Sequence, residues 1–260
     1  MTLMTLSIEP IPAFKDNYIW LLRDDASGET AVVDPGQSEP ALAVLKRRGW
    51  RLDWILNTHH HWDHVSGNRA LKRATGCRVA GAFIDQARIP GINLTLSGGD
   101  EFKLGESRAE ILFTPGHTSG HICFWFPGEA ALFCGDTLFL MGCGVLAEGD
   151  AQELYASLHK LAALPANTRA YCAHEYTVAN GKFALSVDAG NDALQRRVAR
   201  DADRRQRGVP TVPAAISEEL MTNPFLRTDR PEIAEALGMT GAAAIDVFVA
   251  LPRRKDDFRP

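Results

Sequence analysis

Long apolar runs are missing from this chain: none approaches the roughly 20 residues that a membrane-spanning helix requires. The opening stretch MTLMTLSIEPIPAF has neither a basic head nor an apolar segment of signal-peptide length, so a cytoplasmic protein without membrane association is expected. Cysteine is sparse. The five cysteines, Cys77, Cys123, Cys134, Cys143 and Cys172, are odd in number and form no CxxC pair, which argues against a disulfide framework and suits a reducing compartment. A basic excess is also lacking: 28 Lys and Arg stand against 32 Asp and Glu, a net charge of −4, so no nucleic-acid partner is expected. Internal repeats and low-complexity tracts are absent as well. What remains, 260 residues of which 45% are hydrophobic, is enough for one large domain, or a domain with a smaller appendage, around a proper core.

Short apolar segments alternate with turns and helices through the first part. IWLLR (19–23) and TAVVD (30–34) flank DDASGE, a polar loop suited to a hairpin. ALAVLKRRG (41–49) has helical spacing and ends at Gly49 as a C-cap, and LDWILNT (52–58) is a short buried strand. Directly after that strand comes THHHWDH (58–64). The same grammar then recurs: AEILFTPGH delivers His117 past a strand, EAALFCGDT delivers Asp136, and RAYCAHEY delivers His174. Polar residues brought repeatedly from strand ends to loops are how an α/β scaffold assembles one site from distant sequence. After His174 the texture changes to helix: YTVANGKFALSV, NDALQRRVARDADRRQRG, PAAISEELM, RPEIAEALG and GAAAIDVFVALPRRKDDF. The expected division is a catalytic domain over 1–174 and a small helical domain over 175–260.

Packing does not explain four histidines and an aspartate in seven residues. His59 and His61 are two apart on an extended segment, so their rings can share a side. Asp63 and His64 fall where DHVSGNRALKRATG begins a helix. Two imidazoles beside a carboxylate and a third imidazole suit two adjacent divalent ions better than one, with His117 and His174 completing the shells and Asp136 placed to bridge. Imidazole and carboxylate without thiolate fit zinc, iron or manganese. Two such ions about 3.5–4 Å apart generate hydroxide near neutral pH and polarise the group it attacks. His60 is expected to point away, with Trp62 as a loop spacer. His121 reads either as an outer partner of the ligands or as a packed surface histidine, and Asp34 as an orienting group or a turn former. His159, on the amphipathic ELYASLHKLAAL, is structural, and Cys134 and Cys172 are small buried hydrophobes.

THHHWDH together with GH at 116–117, GDT at 135–137 and HEYT at 174–177 resembles the metallo-β-lactamase superfamily. KDNYIW (15–20), PGHTSGHICF (115–124), GCG (142–144), NPFLR (223–227) and KDDF (255–258) extend the resemblance to the glyoxalase II family, the hydroxyacylglutathione hydrolases, along nearly the whole chain. That resemblance implies a four-layer αβ/βα sandwich followed by the helical domain. It implies His59, His61 and His117 on one ion, Asp63, His64 and His174 on the other, and Asp136 between them. Zinc is the first choice. The implied reaction is hydrolysis of a small-molecule thioester, S-lactoylglutathione to lactate and glutathione, in a monomer, with Asp63 also orienting the attacking hydroxide. For the glutathione half, Tyr176 and Lys255 match the family. Val145 and Ala147 stand where it has a basic residue and an aromatic, and Pro252 stands where it has arginine, so Arg253 or Arg254 is the expected substitute. The departures keep a second reading open, hydrolysis of another thioester or ester with a less charged thiol half.

Other members of the superfamily offer rival readings. A mononuclear-iron persulfide dioxygenase has no need of the second ligand set found here. A nuclease would need QRRVARDADRRQR to be a binding stretch, yet Asp201 and Asp203 interrupt it like a solvated helix face. Nothing specific favours a β-lactamase, and the complete ligand set argues against an inert binding module.

Overall fold

The computed structural model describes residues 6–258, without the side chain of Asp256; Met1 to Thr5 of the N-terminal stretch and the outermost ends of both expected domains lie outside these residues. Apolar runs without strict alternation build the first sheet, as strands covered on both faces require. Its strands are β1 (Leu6–Ala13), β2 (Asn17–Asp24), β3 (Thr30–Val33), β4 (Trp54–Leu56), β5 (Arg78–Ala82) and β6 (Leu94–Leu96), hydrogen-bonded in that order. The expected hairpin joins β2 to β3 antiparallel with Trp20 opposite Val33, and β3 to β6 run parallel. Parallel neighbours need crossovers. Helix α1 (Ser38–Arg48) supplies one and ends, as its sequence predicts, at a left-handed Gly49. The single helix expected from DHVSGNRALKRATG is instead α2 (Trp62–Val65) and α3 (Asn68–Thr75). The break has a clear cause: the Gly67 amide leaves the helical ladder to donate to the Pro35 carbonyl at 2.9 Å.

The second sheet begins with β7 (Glu101–Leu104) and β8 (Ser107–Phe113), whose alternating buried and exposed residues show the period of a strand with one wet face. It continues through β9 (Ile122–Phe126) and β10 (Ala131–Gly135). A small hairpin, β11 (Leu138–Phe139) and β12 (Gly142–Cys143), helix α4 (Ala151–Ala162) and strand β13 (Arg169–Cys172) follow. Then come α5 (Thr177–Val187), α6 (Asp192–Gln206), β14 (Ala214–Ala215), α7 (Ile216–Thr222), α8 (Pro231–Ala236) and α9 (Ala244–Asp256). The sheet order is β14-β13-β10-β9-β8-β7. Strand β14 departs from the sequence expectation of helix over PAAISEELM. Its two alanines pair antiparallel with Arg169 and Ala170, and the helix starts only at Ile216, whose amide donates to Thr168 O at 2.8 Å. Pro213 has no amide to donate, and the open edge of β13 satisfies the residues after it better than an unsupported first helical turn would.

Between the sheets lie Leu22, Val33, Leu56, Phe102, Phe124 and Phe133, all buried. Helices α1 and α3 cover the outer face of the first sheet through Leu45 and Leu71. Helix α4 covers the second through Leu154, Leu158 and Leu161, completing the four layers. Each such side chain contributes about 1.5–3 kcal/mol by leaving water. The main core runs on into Phe183, Phe225 and Phe248 of the helical region. Polar contacts reinforce that junction: Asn223 Nδ2 donates to Gly142 O at 2.9 Å and to Phe139 O at 3.2 Å, and Glu219 Oε2 accepts from the Met141 amide at 2.9 Å. Glu219 is itself paired with buried Arg197. The β11–β12 hairpin, which leaves Asp136, is thereby clamped from the helical side. Among the described residues no helix is long and apolar enough to cross a membrane.

Candidate metal centre

Four strand ends converge at one edge of the sandwich: the residues after β4 carry His59 to His64, those after β8 carry His117, those after β10 carry Asp136, and those after β13 carry His174. Backbone bonds pin these ends together. Ile122 N donates to Thr58 O at 2.9 Å across the two sheets, Tyr18 N to Ala173 O at 2.7 Å, and Glu175 N to Asp16 O at 2.8 Å. Close backbone approach matters at two glycines. Gly135 adopts φ +46°, and a Cβ there would sit 2.3 Å from Thr58 Oγ1; a Cβ on Gly144 would sit 2.0 Å from Asp136 O. GDT and GCG therefore encode close contact between segments of the chain as much as chemistry.

The donor atoms of His59, His61 and His117 lie within 4.8 Å of one another, as do those of Asp63, His64 and His174; His59, His64 and Asp136 form a third, overlapping group. Asp136 touches both sides, 3.6 Å from His117 Nε2 and 3.5 Å from the Nε2 atoms of His64 and His174. Asp63 Oδ2 lies 3.4 Å from His174 Nε2. Outward-facing nitrogens have fixed neighbours. His174 Nδ1 pairs with Asp16 Oδ1 at 2.9 Å, His117 Nδ1 with Val145 O at 2.8 Å, and His59 Nδ1 with Thr58 Oγ1 at 3.1 Å, while His64 Nδ1 lies 3.1 Å from Asp34 Oδ2. Such partners fix ring orientation and leave the opposite nitrogen aimed inward. Asp34 also accepts from the Thr58 amide and hydroxyl, at 2.8 and 2.7 Å, and so acts as an orienting group of the histidine loop.

The cluster fits a metal. His59 Nε2, His64 Nε2 and Asp136 Oδ1 are buried atoms without any hydrogen-bond partner, a cost that cations at these donor sets would remove. Burial, joined by the His64 and His121 rings, pushes the His59 pKa well down, so its lone pair is free. Burial opposes charge on His174, but Asp136, Asp63 and Asp16 outweigh it and push the pKa up to about 11. His64 is raised the same way, against burial, by Asp136 and Asp34. Both carboxyls, Asp63 and Asp136, are held well below the usual carboxylate range despite burial, chiefly by His174 and His64. Two imidazoles that favour their protons thus face two carboxylates that favour ionisation, and a divalent cation held by the same donors would compete with those protons, so loading would release protons.

Histidine 121 is fully buried, unlike the surface alternative. Its Nε2 accepts the Asp136 amide at 3.2 Å, its Nδ1 meets the Thr114 and Thr137 hydroxyls at 3.1 Å, and its ring stacks on His59 with centroids 4.9 Å apart. His60 turns away to Asp85 at 3.0 Å. Trp62 is 67% exposed and meets Phe14 edge to face. His159 packs on Tyr155 along α4, and Cys134 and Cys172 are buried, bonded to Leu138 O and His174 O. Sequence reasoning missed Asp16 and Asn17, which donates to Asp63 Oδ2 at 3.1 Å; the signal was KDNYIW, quoted without a role for either residue.

Beside the centre opens a cavity of about 320 Å³ lined by Val145, Leu146, Phe225, Pro252, Arg253 and Lys255, among others. Ala147, Tyr176 and Arg254 are not among its lining residues. Tyr176 instead stacks flat on His174, centroids 4.8 Å apart. Lys255 Nζ donates to Asn180 Oδ1 at 2.8 Å.

The sequence pattern of the metallo-beta-lactamase superfamily matches residues 14–174, and that of the hydroxyacylglutathione hydrolase C-terminus matches residues 175–258. The chain is 55% identical over 254 residues to the hydroxyacylglutathione hydrolase of Methylococcus capsulatus, covering 98% of this chain and 99% of that one. It is 49% identical to that of Rhodospirillum rubrum at the same coverage. Among solved structures, ETHE1 from Myxococcus xanthus shares the fold, with a TM-score of 0.71 at 23% identity over 98% of this chain and 93% of that one. Donor set and superfamily together make the centre a divalent-metal site. With both patterns and full-length relatives in agreement, the chain belongs to the hydroxyacylglutathione hydrolase family of the metallo-β-lactamase superfamily.

Proposed function

We propose that this protein hydrolyses the thioester of S-(2-hydroxyacyl)glutathione substrates, S-D-lactoylglutathione among them, to a hydroxy acid and glutathione. Two divalent ions would serve it, zinc by preference, with His59, His61 and His117 to hold one, Asp63, His64 and His174 to hold the other, and Asp136 within reach of both donor sets. Bound metal supplies Lewis acidity and lowers the pKa of water toward neutrality. Asp63 stays ionised, and Asn17 fixes its carboxylate, so it accepts a hydrogen bond from the attacking water and orients it. Asp16 and the Val145 carbonyl hold His174 and His117 in place through their Nδ1 atoms. Burial first, then Asp16 and Asp136, push the Tyr176 hydroxyl pKa up, so it remains a neutral donor beside His174. The departing thiol has an ordinary pKa of about 8.5 and leaves as thiolate without a strong general acid.

The observation that carries this reading is adjacency: the loop that receives the His117 Nδ1 bond also lines the cavity holding Arg253 and Lys255. A carbonyl at the donor cluster leaves the thiol half beside two cations, Arg253 taking the place of the arginine expected at Pro252. Residues 1–174 would serve as the catalytic unit and 175–260 as supplier of the far cavity wall. The apolar side of that wall, Val145 and Leu146 with Pro252, supports a second reading in which the thiol half is less charged.

The test is turnover of S-D-lactoylglutathione beside a glutathione-free thioester, on protein of measured metal content. Saturable turnover of the first with two metals per chain is expected. Preferential turnover of the second substrate would favour the less charged thiol half, and one iron without hydrolysis of either would sink the hydrolase reading.

A further inference from the structure

Glu148 lies outside the donor cluster, yet three other segments meet on it. Its Oε2 accepts from the Ser119 amide at 3.0 Å and hydroxyl at 2.9 Å. Its Oε1 lies 2.5 Å from Arg88 Nη1 and 3.3 Å from His60 Nε2. Arg88 reaches back from Nη2 to Asp85 Oδ1 at 2.5 Å and to Ser119 Oγ at 3.1 Å, and the Asp85 carboxylate closes the ring on His60 Nδ1 at 3.0 Å. The side chain of Asp85 is fully buried. This network links the histidine loop, the segment after β5, the β8–β9 loop and the loop after β12.

The backbone around Glu148 grips His117. Ala147 N and Glu148 N both donate to His117 O, at 3.1 and 3.3 Å, Gly149 N donates to Gly116 O at 3.2 Å, and Val145 O receives His117 Nδ1 at 2.8 Å. The same loop presents Val145 and Leu146 to the cavity. Thioester hydrolysis itself asks nothing of Glu148, Arg88 or Asp85, and none of them reaches the donor cluster. We infer that Glu148 is a positioning residue, held by Arg88, Ser119 and His60, that locks the Val145–Gly149 loop onto His117 and so sets metal grip and thiol-side wall together. The role rests on the hydrolase reading for its effect on turnover, and on geometry alone for its effect on the loop.

Its side chain is 28% exposed and that of Arg88 36%, and an ion pair so exposed adds little to global stability. Glu148→Ala should therefore leave the melting temperature nearly unchanged. Three readouts should move: exchange of the Ala147 and Glu148 amides should quicken about tenfold or more; metal should be lost to a chelator on the order of 10–100-fold faster; and KM should rise while kcat falls. Glu148→Gln, which can still accept from Ser119, should recover part of each. Arg88→Ala, which spares the two bonds from Ser119 to Glu148, should give the same pattern more weakly and guards against misfolding of the first variant. The double variant should be no worse than Glu148→Ala, because both changes open one network. Wild-type exchange and metal retention in Glu148→Ala would overturn the proposal, as would a lowered melting temperature with unchanged exchange. Should the wild-type protein not turn over the thioester, the hydrolase reading fails while exchange and metal retention still decide the loop's role.

Discussion

At the donor cluster His59, His117 and His174 each have the ring nitrogen facing away from the centre bonded to a fixed partner, and His64 has Asp34 beside it. The rings of His59 and His64 are fully buried and Asp136 is nearly so. The cavity wall on the helical side is built differently. Val145 is 65% exposed and Leu146 39%, and Arg253 projects from the solvent side of α9. One region is over-determined, each side chain answering to several others, while the other presents the exposed side chains of Val145, Leu146 and Arg253 from a wall whose backbone is tied down. The first region tolerates little change; in the second the side chains of Val145, Leu146 and Arg253 can alter without disturbing it, so long as the loop backbone keeps its hold on His117.

The sharpest way to break that contrast is Asp136→Ala. It removes the carboxylate that touches both triads and leaves His64 and His174 without their main counter-charge. Thioester turnover should fall by at least about 10³-fold, since metal activation of water is worth many orders of magnitude, and bound metal should fall below two per chain. Turnover within tenfold of wild type would mean that Asp136 is not shared. Next in size is Asp16→Asn. The amide cannot serve as an anionic acceptor for His174 Nδ1, and loss of such an outer partner costs about 10–100-fold in metal affinity or activity. Metal titration against a chromophoric chelator reads it directly, and an unchanged affinity would show that His174 is oriented by Tyr176 and Phe139 packing instead.

The two regions also differ in how far the sequence reveals them. THHHWDH, His117, Asp136 and His174 were legible because metal chemistry admits few residue types, and each follows a strand whose apolar pattern is plain. Asp16 and Glu148 were not. They are ordinary loop residues whose partners lie elsewhere in the chain: Asp16 meets His174, 158 positions away, and Glu148 meets Arg88, 60 positions away. The fold was readable where periodicity governs, as in β8 and in the stop of α1 at Gly49. It was not readable where tertiary bonds override local preference. Gly67 breaks a helix to reach Pro35 O, and Ala214–Ala215 become a strand only because the β13 edge is free. Which of Arg253 and Arg254 faces the cavity depends on the phase of α9 past Pro252, which spacing alone does not set.

That phase supplies the third test. Arg253→Ala should raise KM for the glutathione thioester about tenfold, the low end of a charge-assisted hydrogen bond's 1.5–3 kcal/mol for an exposed group, with kcat nearly unchanged. Arg254→Ala, outside the cavity lining, should change KM less than about twofold. Equal effects would mean that the thiol half is held by general positive charge and not by this cavity.

The smallest expected effect is the most informative about the wall. Val145 holds His117 through its backbone carbonyl, so changing its side chain leaves that bond in place. Val145→Arg adds a cation across the cavity from Arg253 and Lys255, and an anionic thiol half should bind a few-fold more tightly at low salt. Because the added charge is solvent-exposed, the gain should vanish near 0.5 M salt, where the screening length shrinks to about 4 Å. Val145→Leu, which keeps the wall apolar, should leave KM for the glutathione thioester unchanged. A salt-sensitive drop in KM confined to the arginine variant would place the anionic half of the substrate against this wall. No drop, together with improved turnover of an uncharged thioester by Val145→Leu, would make the wall an apolar specificity surface and shift the preferred substrate toward thiols without glutathione's carboxylates.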